Sequence, residues 1–131
     1  MRIPTPASSY LAWWRAAIAG DQPQITSEPH VGFFKRKLVR GGVFVPCEIR
    51  MVQEVCPETG ELIADEYLDC LVNGIRHDPH EEWLWLCANP ITEAEFKYLT
   101  GLRDWAAWHS PNDPAANPTR RLDPLSTPIP F

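Results

Sequence analysis

The sequence predicts an α+β fold in which a small antiparallel sheet of three to five strands is flanked by an N-terminal and a C-terminal helix and followed by an irregular proline-rich tail. Three observations support this fold class. Apolar residues recur at helical spacing near both ends of the chain, branched and aromatic residues separated by turn formers fill its middle, and six of the 14 prolines lie after residue 110. At 131 residues the chain has the length of one domain, which we expect at residues 1–110, with the tail at 111–131.

The N-terminal helix is predicted over about Ser9–Ala19. Leu11, Trp14 and Ile18 recur at intervals of three and four residues, which places them on one buried side. Gly20 is a suitable end, because glycine tolerates the left-handed backbone that often closes a helix.

The first half of the sheet is predicted from two neighbouring extended segments. Residues 32–39 (GFFKRKLV) and 43–55 (VFVPCEIRMVQEV) are rich in branched and aromatic side chains, and Arg40-Gly41-Gly42 between them favours a turn. Pro46 has no amide hydrogen for a sheet ladder, so we expect it at an edge or a bulge.

Two further extended segments complete the predicted sheet. Leu62–Val72 is followed by Asn73-Gly74, the residue pair typical of two-residue hairpins, so Ile75-Arg76 is expected to fold back on it. The short apolar run Trp83–Ala88 (WLWLCA) is predicted as a final strand.

The C-terminal helix has the clearest start signal in the chain. Thr92 and Glu95 have the spacing of a capping box, and Ile91 and Phe96 occupy the two positions of a hydrophobic staple. Apolar residues at helical spacing then continue until Ser110-Pro111 ends the helix.

Charge and composition restrict the function classes. The net charge is −5, with cations concentrated between Gly32 and Arg50 and carboxylates between Glu54 and Glu82. No run approaches the ~18–20 apolar residues of a membrane helix, and no continuous signal-peptide core is present, so we expect a cytoplasmic protein that engages no membrane. In that compartment the four cysteines are expected to be free.

No motif in the sequence indicates catalysis. The serines lie outside any nucleophile-elbow pattern, and Gly41-Gly42 lacks the rest of a nucleotide-binding loop. His77, His80 and Glu81 are candidate metal ligands, but no Cys-x-x-Cys pair completes a zinc site. We therefore predict no catalytic residue, no cofactor and no metal site.

One strand has the composition of a single-stranded nucleic-acid interface, because bases stack on aromatic rings and phosphates pair with cations. Its predicted binding residues are Phe33, Phe34, Lys35, Arg36, Lys37 and Arg40. The alternative is that one phenylalanine packs in the core while the cations keep an edge strand soluble. The negative net charge also opposes tight binding to a polyanion.

The segments GFFKRKLVRGGVFVP, NPITEAEFKYLTGLRDWA and PLSTPIPF together resemble a group of short, uncharacterised proteins encoded by phages and prophages of proteobacteria. The resemblance covers about the last three-quarters of the chain. It implies a phage origin and an intracellular role during infection, and it assigns no activity.

The last three residues, Ile129-Pro130-Phe131, are similar to the C-terminal tip of bacterial single-stranded-DNA-binding protein. In that family the phenylalanine enters an apolar pocket on replication and repair enzymes, and a basic residue holds the terminal carboxylate. The resemblance implies a partner-binding tail, although Ser126-Thr127-Pro128 stands where that family has acidic residues. The alternative is that the tail packs on its own domain.

Two functions follow as hypotheses. The first is a non-enzymatic phage accessory protein that binds DNA replication or recombination machinery, or single-stranded DNA, in the bacterial cytoplasm. The second is an inhibitor of a bacterial defence system, similar to anti-CRISPR proteins, whose acidic face occupies a basic groove in place of phosphates. The candidate residues of that acidic face are Glu58, Glu61, Asp65, Glu66 and Asp69.

Overall fold

The computed structural model confirms the α+β fold and describes residues 2–20, 27–109, 112, 116, 118 and 119. A four-stranded antiparallel sheet with the order β1-β2-β3-β4 consists of β1 (Gly32–Lys37), β2 (Phe44–Val52), β3 (Tyr67–Val72) and β4 (Ile75–His77). Two short helices precede it, α1 (Ala7–Tyr10) and α2 (Ala12–Ile18), and two longer ones follow it, α3 (Pro79–Leu86) and α4 (Glu93–His109).

Helices α3 and α4 cover opposite faces of the sheet. Successive side chains of a strand point to opposite faces. Phe34 packs on Trp83 of α3 with ring centroids 5.7 Å apart, whereas Phe33 packs on Phe96 of α4 at 4.6 Å. The face under α3 holds the main apolar core, whose buried members are Phe34, Val45, Cys47, Ile49, Cys70, Val72, Trp83 and Leu86.

The connection between α3 and α4 runs along the outer edge of β1. The Lys35 amide donates to the Asn89 carbonyl (3.1 Å), and the Ile91 amide donates to the Phe33 carbonyl (3.0 Å). The Ile91 carbonyl in turn accepts a hydrogen bond from the Trp14 indole (2.9 Å), so α2 joins the same edge. The outer edge of β1 is therefore covered, and the exposed strand β4, at the other side of the sheet, is only three residues long, which limits edge-to-edge pairing.

The prediction of a final strand at Trp83–Ala88 is wrong, because most of this run belongs to α3. Asp78 caps the helix by accepting a hydrogen bond from the His80 amide (2.8 Å), and Pro79 lies in the first turn, where the amide hydrogen it lacks has no helical partner. The first and fourth residues of the run are buried and the two between them are exposed, which is the periodicity of a helix.

Pro46 lies in the interior strand β2, so the prediction of an edge or a bulge is wrong. It pairs with Lys35 of β1, and toward β3 it lies one residue beyond the last pair, Cys47 with Val72. Its carbonyl accepts a hydrogen bond from the Asn73 amide (2.8 Å) in the hairpin. Proline has no amide hydrogen to donate, and Pro46 lies just past the end of the β2–β3 pairing, so no strand hydrogen bond is lost there.

The predicted turns and the predicted helix start are confirmed. Asn73 and Gly74 have φ of 53° and 82° and join β3 to β4. The Thr92 hydroxyl accepts a hydrogen bond from the Glu95 amide (3.1 Å) at the start of α4. The predicted N-terminal helix is present as α1 and α2, and Gly20 follows it with φ of 86°.

Candidate functional site

The predicted nucleic-acid strand places both of its phenylalanines inside the protein. Phe34 is fully buried beneath α3. Phe33 is half-buried between Phe96 of α4 and Trp14 of α2, with ring centroids 4.6 and 5.5 Å apart. Both rings therefore pack within the fold and are not presented to a base.

Lys35 and Arg36 are held by carboxylates of the two covering helices. Lys35 Nζ lies 3.1 Å from Glu95 Oε1 of α4. Arg36 pairs with Glu82 of α3, and both of those side chains are largely buried. The Arg36 guanidinium also lies 5.0 Å from the Trp85 ring centroid, which is a cation–π distance. These two cations therefore attach β1 to α3 and α4.

Lys37 and Arg40 are exposed and line a cleft of about 580 Å³ together with two aromatic rings. Phe44 is 38% exposed and Trp85 is 61% exposed. The Lys37 and Lys35 ammonium groups lie 5.0 and 4.7 Å from the Phe44 ring centroid. Within the described part of the chain, neither Lys37 nor Arg40 forms an ion pair. We name the following five residues the basic-aromatic cleft: Arg36, Lys37, Arg40, Phe44 and Trp85.

The turn between β1 and β2 gives this cleft its shape. Gly41 has φ of 81°, a left-handed conformation that favours glycine. The Gly42 amide donates to the Val39 carbonyl (3.0 Å), and a Cβ on Gly42 would lie 3.0 Å from both the Val39 side chain and the Pro118 carbonyl oxygen. Because Pro118 is buried, the segment predicted as a tail contacts the domain at this point.

Three residues of the predicted acidic face lie at or near the surface. Glu58 is exposed in the turn that follows Cys56, and Glu61 is half-buried at the end of that turn. Asp65 is exposed and pairs with Arg2. These carboxylates remain accessible to a partner.

The other two residues of the predicted acidic face are bound by the chain itself. A hydrogen bond from the Thr5 hydroxyl (2.6 Å) lowers the pKa of Glu66 below its ordinary value. Asp69 is 4% exposed and lies 3.0 Å from Arg50 and 3.1 Å from Arg76. The acidic face is therefore divided, since the Asp69 charge is balanced within the sheet.

His77 and His80 lie near carboxylates, and Cys47 and Cys70 are buried. His77 lies 3.5 Å from Glu82, and His80 is exposed on the first turn of α3. Among the described residues, no three His, Cys, Asp or Glu side chains form a group able to hold a metal ion. Burial raises the pKa of Cys47 and of Cys70 to about 12, so both free thiols are protonated at neutral pH.

Phe44 and Trp85 are the cleft residues that the sequence pattern did not indicate. Phe44 opens β2 and lies opposite Lys37 in the strand register, so the hairpin prediction contained the signal that locates it. Trp85 required the helical assignment of α3, because a strand places Trp83 and Trp85 on the same face.

No known protein family, curated protein or solved structure matches this chain. In residues 2–20 and 27–109, no helix has the length and apolar character that crossing a bilayer requires. The predicted partner-binding residues Ile129, Pro130 and Phe131 lie outside the described residues. Of the predicted nucleic-acid-binding residues, the exposed ones lie in the basic-aromatic cleft.

Proposed function

We propose that this chain is a non-enzymatic phage accessory protein that holds single-stranded nucleic acid in its basic-aromatic cleft, in support of DNA replication or recombination in the bacterial cytoplasm. The observation that carries the proposal is the placement of two exposed rings, Phe44 and Trp85, beside two exposed cations, Lys37 and Arg40. Proteins that bind single strands combine these groups, since bases stack on the rings and phosphates pair with the cations.

The cleft residues have separate roles in this proposal. Trp85 offers a ring surface to a base, and Arg36 holds that ring in place. Because Glu82 balances the Arg36 charge, Lys37 and Arg40 are the residues that bind the phosphates in this proposal. The cleft volume lies within the roughly 300–1,000 Å³ of small-ligand pockets, which suits a stretch of about one or two nucleotides.

Salt dependence gives this mode of binding a quantitative signature. Each phosphate contact releases counterions from the nucleic acid, so binding weakens as salt is added. For two contacts with a single strand, a plot of the logarithm of the binding constant against the logarithm of the salt concentration has a slope of about −1.4. Glu82 and Glu95 pair with Arg36 and Lys35 beside the cleft, whereas Lys37 and Arg40 have no ion pair among the described residues. The net charge of −5 therefore weakens binding, while Lys37 and Arg40 keep a positive charge available to phosphates.

The contribution of the ring is tested with fluorescently labelled oligothymidine, whose anisotropy reports binding. Trp85→Ala is expected to weaken binding by about 1–3 kcal/mol, which is about five- to 150-fold, because a base loses its stacking surface. Leu84→Ala removes the neighbouring exposed side chain of α3 and serves as the control that binds like the wild type.

The contribution of the cations is read from the same titration at increasing NaCl. Lys37→Gln should reduce the salt slope by about 0.7, because one phosphate contact is lost. Arg15→Gln removes an exposed cation outside the cleft and should leave the slope unchanged. The proposal fails if Trp85→Ala binds like the wild type, or if duplex DNA is preferred over the single strand.

A further inference from the structure

Helix α4 exposes a row of aromatic side chains on the side that faces away from the sheet. Phe96 and the buried Ala106 lie on the sheet side. Tyr98, Trp105 and Trp108 are 67%, 52% and 86% exposed. Large exposed apolar groups that lie next to each other mark an interaction surface.

This row has the spacing of a contact between two helices. Its members follow one another at intervals of four, three, four and three residues, the repeat that brings one side of a helix against another helix. We name them the α4 stripe: Ala94, Tyr98, Gly101, Trp105 and Trp108. A Cβ placed on Gly101 would meet no described atom within 4 Å, so the middle of the stripe is open to close approach.

The stripe is complementary to a second copy of itself in the antiparallel direction. With Gly101 at the crossing point, Trp108 of one copy lies opposite the small Ala94 of the other. Tyr98 then lies opposite Trp105, where two aromatic rings gain from edge-to-face or offset contact. Large side chains thus meet small ones at both ends of the contact.

Charge complementarity favours the antiparallel direction over the parallel one. Lys97 and Asp104 lie on the same flank of the stripe, one before and one after Gly101, and each also has a partner on its own helix, Glu93 and Arg103 respectively. In an antiparallel pair the same flanks meet, so each Lys97 faces the partner's Asp104. A parallel pair brings opposite flanks together and places Lys97 beside Leu102.

We propose that this chain forms a homodimer in which the α4 stripes of two copies pack antiparallel. The three exposed aromatic side chains present on the order of 400 Å² in each copy. Two copies with their flanking residues reach roughly 1,000 Å², the lower end of specific interfaces, so we expect a reversible dimer.

Sedimentation equilibrium of the full chain over micromolar concentrations tests the proposal, with a reversible monomer–dimer equilibrium expected. Gly101→Leu should raise the dissociation constant roughly tenfold or more by separating the helices, while the monomer gains stability because leucine favours a helix more than glycine does. Loss of the dimer in this variant therefore reports the crossing point and not unfolding.

The direction of packing is tested by exchanging charges. Lys97→Asp alone or Asp104→Lys alone should weaken the dimer, and the double exchange should restore it. A wild-type chain that stays monomeric throughout overturns the proposal. It is also overturned if a chain ending at Thr119 dimerises while the full chain does not, since the C-terminal segment then covers the stripe.

Discussion

Asp69 is a buried carboxylate held by arginines of two neighbouring strands. Arg50 lies opposite it in the β2–β3 register, and Arg76 approaches from β4. Burial opposes ionisation of Asp69, yet the hydrogen bond from Arg50 and the charge of Arg76 hold its pKa below the ordinary value. The folded state therefore favours the ionised form more than the unfolded state does.

Asp69→Asn should lower the free energy of unfolding at neutral pH by about 1–2 kcal/mol, because both guanidinium groups lose a charged acceptor. Since the folded-state pKa is depressed, the stabilisation is present above about pH 4 and is lost as the pH falls through that pKa. Urea unfolding of wild type and variant across this range measures the difference.

Asp65→Asn is the matched control for this experiment. Asp65 is exposed and has one arginine partner, so its loss should change the free energy of unfolding by less than about 0.5 kcal/mol. A difference between wild type and Asp69→Asn that stays constant down to strongly acidic pH would contradict the role assigned to the ionised carboxylate.

Single residues of the predicted nucleic-acid strand and of the predicted acidic face show which features the local sequence pattern does not predict. In the sequence, Asp69 is one of many carboxylates in an acidic segment and is predicted to face solvent. It is buried because the strand register brings Arg50 opposite it. Lys37 and Arg40, predicted as nucleic-acid-binding residues, are exposed. Phe33 and Phe34 are covered by helices far along the chain, which no strand pattern contains.

Among the helices, α4 begins where its local signals predict. The Thr92 hydroxyl and the Glu95 amide lie within one turn, so the cap is independent of tertiary packing. Helix α3 carries equally local signals in Asp78 and Pro79, but its apolar run also fits a buried strand. The apolar run alone predicts a strand, whereas Pro79 at a first-turn position is compatible with the helix that the structure shows.

Thr92→Ala should lower the free energy of unfolding by about 1 kcal/mol, because the first turn of α4 loses a hydrogen-bond acceptor. Thr92→Ser keeps the hydroxyl and should remain close to the wild type. Chemical denaturation followed by circular dichroism compares the three chains, and equal midpoints for Thr92→Ala and the wild type would show that the cap contributes nothing.

For the whole molecule, one described residue of the proline-rich segment lies against the folded domain. Pro118 is buried beside Gly42, although it falls within the proline-rich segment expected to be irregular. The prediction of an irregular tail rests on composition, and composition does not indicate which residues of that segment contact the domain. The fold class, by contrast, followed from periodicity and turns that are local in the chain.

Deleting Phe131 should abolish capture of a replication or repair enzyme from bacterial lysate while leaving thermal unfolding unchanged. The resemblance of the tail tip to that of single-stranded-DNA-binding protein implies that Phe131 and its terminal carboxylate anchor the chain on such an enzyme. Mass spectrometry of the bound proteins makes the comparison, with a chain ending at Thr119 as a second tip-less form. Capture of the same partners by all three chains would assign partner binding to the folded domain.

The connection from Asn89 to Ile91 also has a consequence for the order of synthesis. On the ribosome, β1 and β2 emerge early and pair as neighbours in sequence, but the outer edge of β1 stays uncovered until residue 91 has emerged. The face that carries Phe33 is only partly covered, by Trp14 of α2, until α4 follows. A nascent chain that stalls before Asn89 therefore exposes both an unpaired strand edge and an apolar face, the two features that promote misassembly during translation.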